Sequence, residues 1–169
     1  KTVEELINKG ESAYTLGELI HNPQVVEMLK QKGIRPSNLE DINEGTLIIR
    51  THGVNRDLIE MAKSKGLNII DATCPFVKKV HQKALEISNK GYMVIIIGDP
   101  HHPEVQGIQS WSGKDVKVIE TPEDARNFFT NKKVGVVVQT TQTEENVQQI
   151  MEILKQKIDI EIFYNTRCN

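Results

Sequence analysis

Six short stretches hold most of the groups that could do chemistry. They are His21-Asn22, Thr51-His52-Gly53, Asp71-Ala72-Thr73-Cys74-Pro75, Asp99-Pro100-His101-His102-Pro103-Glu104, Thr140-Thr141 and Asn165-Thr166-Arg167-Cys168. They contain four of the five histidines, both cysteines, a glutamate and a threonine pair. Each follows a strand-like run. In an open parallel sheet, ligands bind beyond the carboxyl ends of the strands. A helix that starts there adds free N–H groups and a positive dipole end, which suit phosphate. Histidines add donors to phosphate oxygens. The pattern therefore describes an anion pocket with thiols beside it.

Each residue also has a plainer use. His21 precedes an N-cap, and His52-Gly53 reads as a tight turn. Asp71 and Asp99 could satisfy loop amides, and Thr140-Thr141 could cap the next helix. His81 lies inside a helical pattern and reads as a packing residue. Of the adjacent pair, His102 is favoured over His101, because Pro103-Glu104 follows it and opens a helix. A zinc site needs three or four close ligands, and His21, His52, His102 and Glu104 could supply them. No CxxC, HExxH, Walker or GxGxxG pattern is present.

These residues need elements to position them. Ala13–Leu16, TLIIR at 46–50, LNIID at 67–71, YMVIIIG at 92–98, 116–120, VGVVVQ at 134–139 and IEIFY at 160–164 read as strands. Helices are expected over 2–9, after Asn22-Pro23 through Val25, Val26, Met28 and Leu29, after Asn55, from Pro75, from Pro103, after Thr121-Pro122 and over 144–157. Gly10, Gly33, Gly66 and Gly91 read as stops. Alternation of strands and helices implies βαβ units in short, mostly parallel sheets with flanking helices, an α/β fold. The spacing suggests two lobes with a boundary near Cys74-Pro75.

Composition narrows the class. Lys and Arg number 21 against 23 Asp and Glu, so the net charge is −2 and there is no basic surplus for nucleic acid. The longest apolar run, Met93 to Ile97, is too short to cross a bilayer. The Lys1-Thr-Val-Glu-Glu start looks like an amphipathic helix and not a secretory leader. Two thiols in such a chain are expected to be reduced. The chain begins without Met and closes one residue after a Cys, so it reads as an internal piece of a longer protein.

Leu19-Ile20-His21-Asn22-Pro23, Thr51-His52-Gly53-Val54, Asp71-Ala72-Thr73-Cys74-Pro75, His102-Pro103-Glu104-Val105 and Gln139-Thr140-Thr141, in that order, resemble the 4-hydroxy-3-methylbut-2-enyl diphosphate reductase family. The resemblance implies three α/β lobes in a pseudo-threefold arrangement. Each lobe would give one cysteine to a [4Fe–4S] cluster. Cys74 and Cys168 would be two of the ligands, with the third cysteine missing from this chain. His21, His52 and His102 would line a diphosphate pocket. Glu104 would relay a proton, and Thr140 would orient it and the substrate hydroxyl.

The implied reaction is reductive dehydroxylation to isopentenyl and dimethylallyl diphosphate, the last step of the methylerythritol phosphate route. Reduced ferredoxin or flavodoxin would supply electrons. Neither nucleic acid nor a membrane would be a partner. The location would be bacterial cytoplasm or plastid stroma.

Residues 1–75 would then be the end of the first lobe, 76–164 the second, and 165–169 the start of a third. Departures from the pattern are an absent Gly-Phe-Cys-type turn before the first helix and an absent Ser/Asn-rich loop after Cys168. Arg167 also stands where an apolar residue is expected. This chain alone would be inactive. On the residues themselves two other classes stay open: a zinc-dependent phosphoester or diphosphate hydrolase, and a phosphate-binding α/β module without chemistry.

Overall fold

The computed structural model describes residues 12–16, 27–28, 30–31, 33–50 and 53–168. The expected helix at 2–9 and the Asn22-Pro23 helix start lie outside them, as do His21 and His52. Residues 27–28 and 30–31 are helical, and Met28 is exposed there. The chain divides into two compact units, Lys1–Cys74 and Pro75–Asn169.

In the first unit, strands β1 (Ala13–Leu16), β2 (Ile34–Ser37), β3 (Thr46–Ile49) and β4 (Asn68–Asp71) form a parallel sheet in the order β2-β1-β3-β4. Helix α1 (Arg56–Ser64) joins β3 to β4. Asn55 caps it by accepting from the Asp57 amide at 3.0 Å. Leu39, Ile42, Leu47, Ala62 and Leu67 pack one face of the sheet, while Ala13, Ile34 and Ile48 form a second cluster. Strand β2 and a single 3-10 turn at Leu39–Asp41 were not expected from the sequence. Pro36 argues against a central strand, and β2 is an edge strand, where a missing N–H costs no ladder bond. Lys65 holds the turn by donating to the carbonyls of Leu39, Glu40 and Ile42 at 2.8, 2.9 and 3.0 Å.

The second unit repeats the layout. Helix α2 (Pro75–Asn89) leads to β5 (Met93–Ile97), α3 (Pro103–Trp111), β6 (Val116–Ile119), α4 (Pro122–Asn127), β7 (Val134–Val138), α5 (Glu144–Lys155) and β8 (Ile160–Tyr164). The sheet order is β6-β5-β7-β8, all parallel. Side chains alternate across a strand. So Ile95, Ile97, Val136 and Val138 meet Val147, Ile150 and Leu154 of α5 on one face. Val94, Ile96 and Val137 meet Val80, Ala84, Val105 and Ile108 of α2 and α3 on the other. Burial on both faces explains the unbroken apolar runs.

Two local features shape this sheet. Gly135 lets α2 approach closely, since a Cβ there would overlap the Ile87 side chain. A bulge between Val134 and Gly135 changes the β7–β8 register, so Ile160 and Ile162 join different core clusters. His81 is buried and stacks on Trp111 at 5.6 Å between ring centroids, the packing role expected for it.

The end of β8 is tied to α2 through Glu86. Its carboxylate accepts from Lys83 at 2.8 Å, from the Tyr164 hydroxyl at 2.6 Å and from Lys90 at 3.2 Å. Those bonds, Lys83 first, hold the Glu86 carboxyl down at about 2. An unfolded glutamate titrates near about 4.3. The folded value is the lower one, so Glu86 contributes stability that is complete above the unfolded value and is lost as pH falls toward 2. The melting-temperature gap between this protein and Glu86→Gln is therefore expected to be widest near neutral pH and to close between about pH 4.5 and pH 2. A gap that stays constant through that range, followed by circular dichroism, contradicts the assignment.

Candidate active site

Strands β5 and β7 are neighbours, with Ile97 level with Val138. The chain leaves β5 toward β6 on one side and returns through β7 on the other, so the crevice between their carboxyl ends is a topological switch point. The loop after β5 carries Asp99 to His102 and opens α3. The loop after β7 carries Gln139 to Thr143 and opens α5.

Glu104 and Thr140 meet across this crevice. Glu104 is 1% exposed, and Thr140 is also buried. The Thr140 amide donates to Glu104 Oε1 at 2.7 Å, and the Thr140 hydroxyl donates to Oε2 at 2.8 Å. A buried carboxylate is costly unless its oxygens are bonded, and here each accepts one bond. Glu104 also lies in the first turn of α3, where free amides and the dipole favour negative charge.

The two oxygens are not equivalent. A backbone N–H can only donate, so Oε1 must remain an acceptor. A hydroxyl can donate or accept. A proton on Glu104 therefore belongs on Oε2, where the Thr140 hydroxyl can turn and accept its hydrogen bond without breaking the contact. The pair can hold or release one proton with no change in heavy-atom positions.

His102 is the N-cap of α3, and its Nδ1 accepts from the Glu104 amide at 3.1 Å. An accepting Nδ1 puts the ring hydrogen of neutral imidazole on Nε2, the kind of donor a phosphate oxygen takes. His101 is exposed, with its amide bonded to Asp99 Oδ1 at 2.8 Å. Asp99 has the plainer loop role, and Asp71 likewise accepts from the Thr73 amide at 3.0 Å. Thr140-Thr141 does not cap α5, because Thr143 does, accepting from the Asn146 amide at 3.3 Å. That leaves the Thr140 hydroxyl available for Glu104.

Gln139, given no role of its own in the sequence reading, locks the two loops together. It is buried; its Oε1 accepts from the Asp99 amide at 2.9 Å, and its Nε2 donates to Thr141 Oγ1 at 3.1 Å. Gly98 makes room, since a Cβ there would lie 2.8 Å from Gln139 Oε1 and from Val105 Cγ2. The signal available in the sequence was a polar residue closing an otherwise apolar strand.

Cys74 closes the first unit and is half-buried; Cys168 is exposed, and neither is in a disulfide. The Cys168 amide donates to the Thr140 carbonyl at 2.9 Å. Arg167, unexpected before the cysteine, is mostly buried; it meets Glu144 of α5 at 3.6 Å and Asn165 at 3.2 Å. Among the described residues no three His, Cys, Asp or Glu gather closely enough to hold a metal ion. Among them, too, no helix is long and apolar enough to cross a membrane.

The whole chain, residues 1–169, matches the family model described as LytB protein. It is 44% identical over 160 residues to the 4-hydroxy-3-methylbut-2-enyl diphosphate reductase of Caldanaerobacter subterraneus subsp. tengcongensis, covering 92% of this chain and 56% of the relative. It is 44% identical over 167 residues to that of Pelobacter propionicus, covering 98% and 59%. A solved structure of (E)-4-hydroxy-3-methyl-but-2-enyl diphosphate reductase, the terminal enzyme of the non-mevalonate pathway, aligns with a TM-score of 0.87 at 39% identity, over 98% of this chain and 61% of its own. The E-1-hydroxy-2-methyl-but-2-enyl-4-diphosphate reductase from Plasmodium falciparum aligns with a TM-score of 0.87 at 29% identity, over 98% and 54%. The chain thus spans little more than half the length of these relatives.

Thr140→Val keeps the shape of the side chain but leaves Glu104 Oε2 buried without its donor. The expected loss of unfolding free energy is about 2 kcal/mol. Thr140→Ser, which keeps the hydroxyl, should lose less than half of that. Urea denaturation of the three proteins checks this, and equal stabilities would refute it.

Proposed function

The chain belongs to the LytB protein family, and from that membership we propose that it carries part of the site for reductive dehydroxylation of (E)-4-hydroxy-3-methylbut-2-enyl diphosphate. The products are isopentenyl and dimethylallyl diphosphate. The balance is substrate plus two electrons and two protons, giving product and water. The observation that carries the reading is the buried Glu104–Thr140 pair at the switch point of a chain that matches the family along its whole length.

The donor chemistry fits an iron–sulfur group in kind. Both thiols are free, and thiolate is the ligand such clusters take. Cys74 and Cys168 would hold a [4Fe–4S] cluster, with a third cysteine outside this chain. When bound, the cluster supplies electrons one at a time and a Lewis-acid iron for the substrate hydroxyl. Reduced ferredoxin or flavodoxin is the proposed donor. Two thiols outside any disulfide accord with a reducing compartment, bacterial cytoplasm or plastid stroma.

The chain's own residues handle the anion and the proton. His21, His52 and His102 would bind the diphosphate through ring N–H donors. Glu104 would hold the proton on Oε2 and release it to the leaving hydroxyl, directly or through a phosphate oxygen. Thr140 would keep that oxygen aimed and then accept the hydrogen bond of the reprotonated acid. Residues 165–169 would begin the third lobe.

In the complete enzyme, Glu104→Gln is expected to keep its iron and acid-labile sulfide while turnover falls by about a hundredfold or more, the usual size of a lost general acid. Turnover at the unaltered rate removes Glu104 from the proton path. Cys74→Ser is expected to lose stable cluster binding, and a full iron and sulfide count in that variant contradicts its ligand role.

A further inference from the structure

Cys168 sits past the end of regular structure, and exposed thiols on such segments wander unless the backbone beneath them is bonded. The last paired residues of the β7–β8 ladder are Val137 and Tyr164. Val138, the next residue of β7, has no β8 backbone partner in the register. The Thr166 side chain takes that place. Its hydroxyl accepts from the Val138 amide at 2.9 Å and also donates to the Val138 carbonyl. Thr166 is 5% exposed, so water competes poorly for these bonds. Backbone pairing then resumes two residues on, where the Cys168 amide reaches the Thr140 carbonyl.

One hydroxyl thus carries both the donor and the acceptor role of a missing backbone unit. No apolar side chain can do this, and Val138 would otherwise lose both buried partners.

We infer that Thr166 is a positioning residue that sets Cys168 against Thr140, and so ties a thiol ligand to the proton-holding pair. The tie runs from the Cys168 amide to the Thr140 carbonyl, and from the Thr140 amide and hydroxyl to Glu104. Every residue in it belongs to the second unit. The bonds stand on geometry alone, while their purpose rests on the reading of Cys168 as a cluster ligand.

The test uses the complete protein with Thr166→Val and Thr166→Ser, compared in two states. In the cluster-free state, amide hydrogen exchange at Val138 and Cys168 is measured. Thr166→Val should accelerate both by about tenfold or more, and Thr166→Ser should stay within about threefold of the unaltered protein. In the loaded state, Thr166→Val should shift the electron paramagnetic resonance spectrum of the reduced cluster and shorten its survival against a chelator, with Thr166→Ser restoring both. Thr166→Ala makes the same comparison if the valine variant does not fold. Unchanged exchange at Cys168 in the apolar variants of a protein that loads its cluster overturns the anchor alone. Equal losses in the serine variant overturn it too, because the hydroxyl would not be the cause. An unaltered protein that takes up no iron and sulfide overturns the ligand reading, and with it the anchor's purpose.

Discussion

A carboxylate removed from water governs how the second unit is built. Glu104 is almost wholly buried, and the charge of such a group is tolerated only where donors are fixed around it. Both donors come from one residue, Thr140, which stands 36 positions away in the chain. The contact exists because β5 and β7 are parallel neighbours that end level with each other. Everything that keeps those ends level therefore serves the carboxylate. Gly98 and Gln139 close the gap between the two loops, and Pro103 starts α3 so that Glu104 falls in its first turn.

The core explains why the polar side chains of this unit gather at one edge. Strands β5 and β7 are covered by helices on both faces. Their side chains are committed to packing, which leaves the loops beyond the carboxyl ends for polar work. In those loops one polar contact often does two structural jobs. His102 caps a helix and orients its ring in the same contact. Thr143 caps α5, and this frees Thr140 for the carboxylate. The zinc alternative set out from sequence would use His21 and His52, which lie outside the described residues, together with His102 and Glu104. Here the oxygens of Glu104 are already bonded to Thr140, and Nδ1 of His102 is engaged in the cap.

The segment that carries Cys168 is held by polar contacts where apolar packing was expected. Thr166 replaces a backbone partner for Val138, and Arg167 lies between Asn165 and Glu144. An arginine before the cysteine is thus accommodated through its charge at the first turn of α5.

Much of this was legible in the residues. Period-two and period-3.6 patterns, the Asn55 and Thr121 caps, Pro at helix starts and glycine stops depend on contacts within a few positions, so local order reveals them. The placing of Cys74, His102, Glu104, Thr140 and Cys168 after strands, and the resemblance carried by five ordered motifs, were legible for the same reason. Strand β2 escaped, because its single apolar residue and its proline make sense only at a sheet edge. The Gln139 lock, the unequal oxygens of Glu104, the β7–β8 bulge and the Thr166 bridge escaped as well. Each is a contact between residues roughly 25 to 40 positions apart. Strand register decides such contacts, and register is a property of the packed sheet that no local stretch of sequence contains.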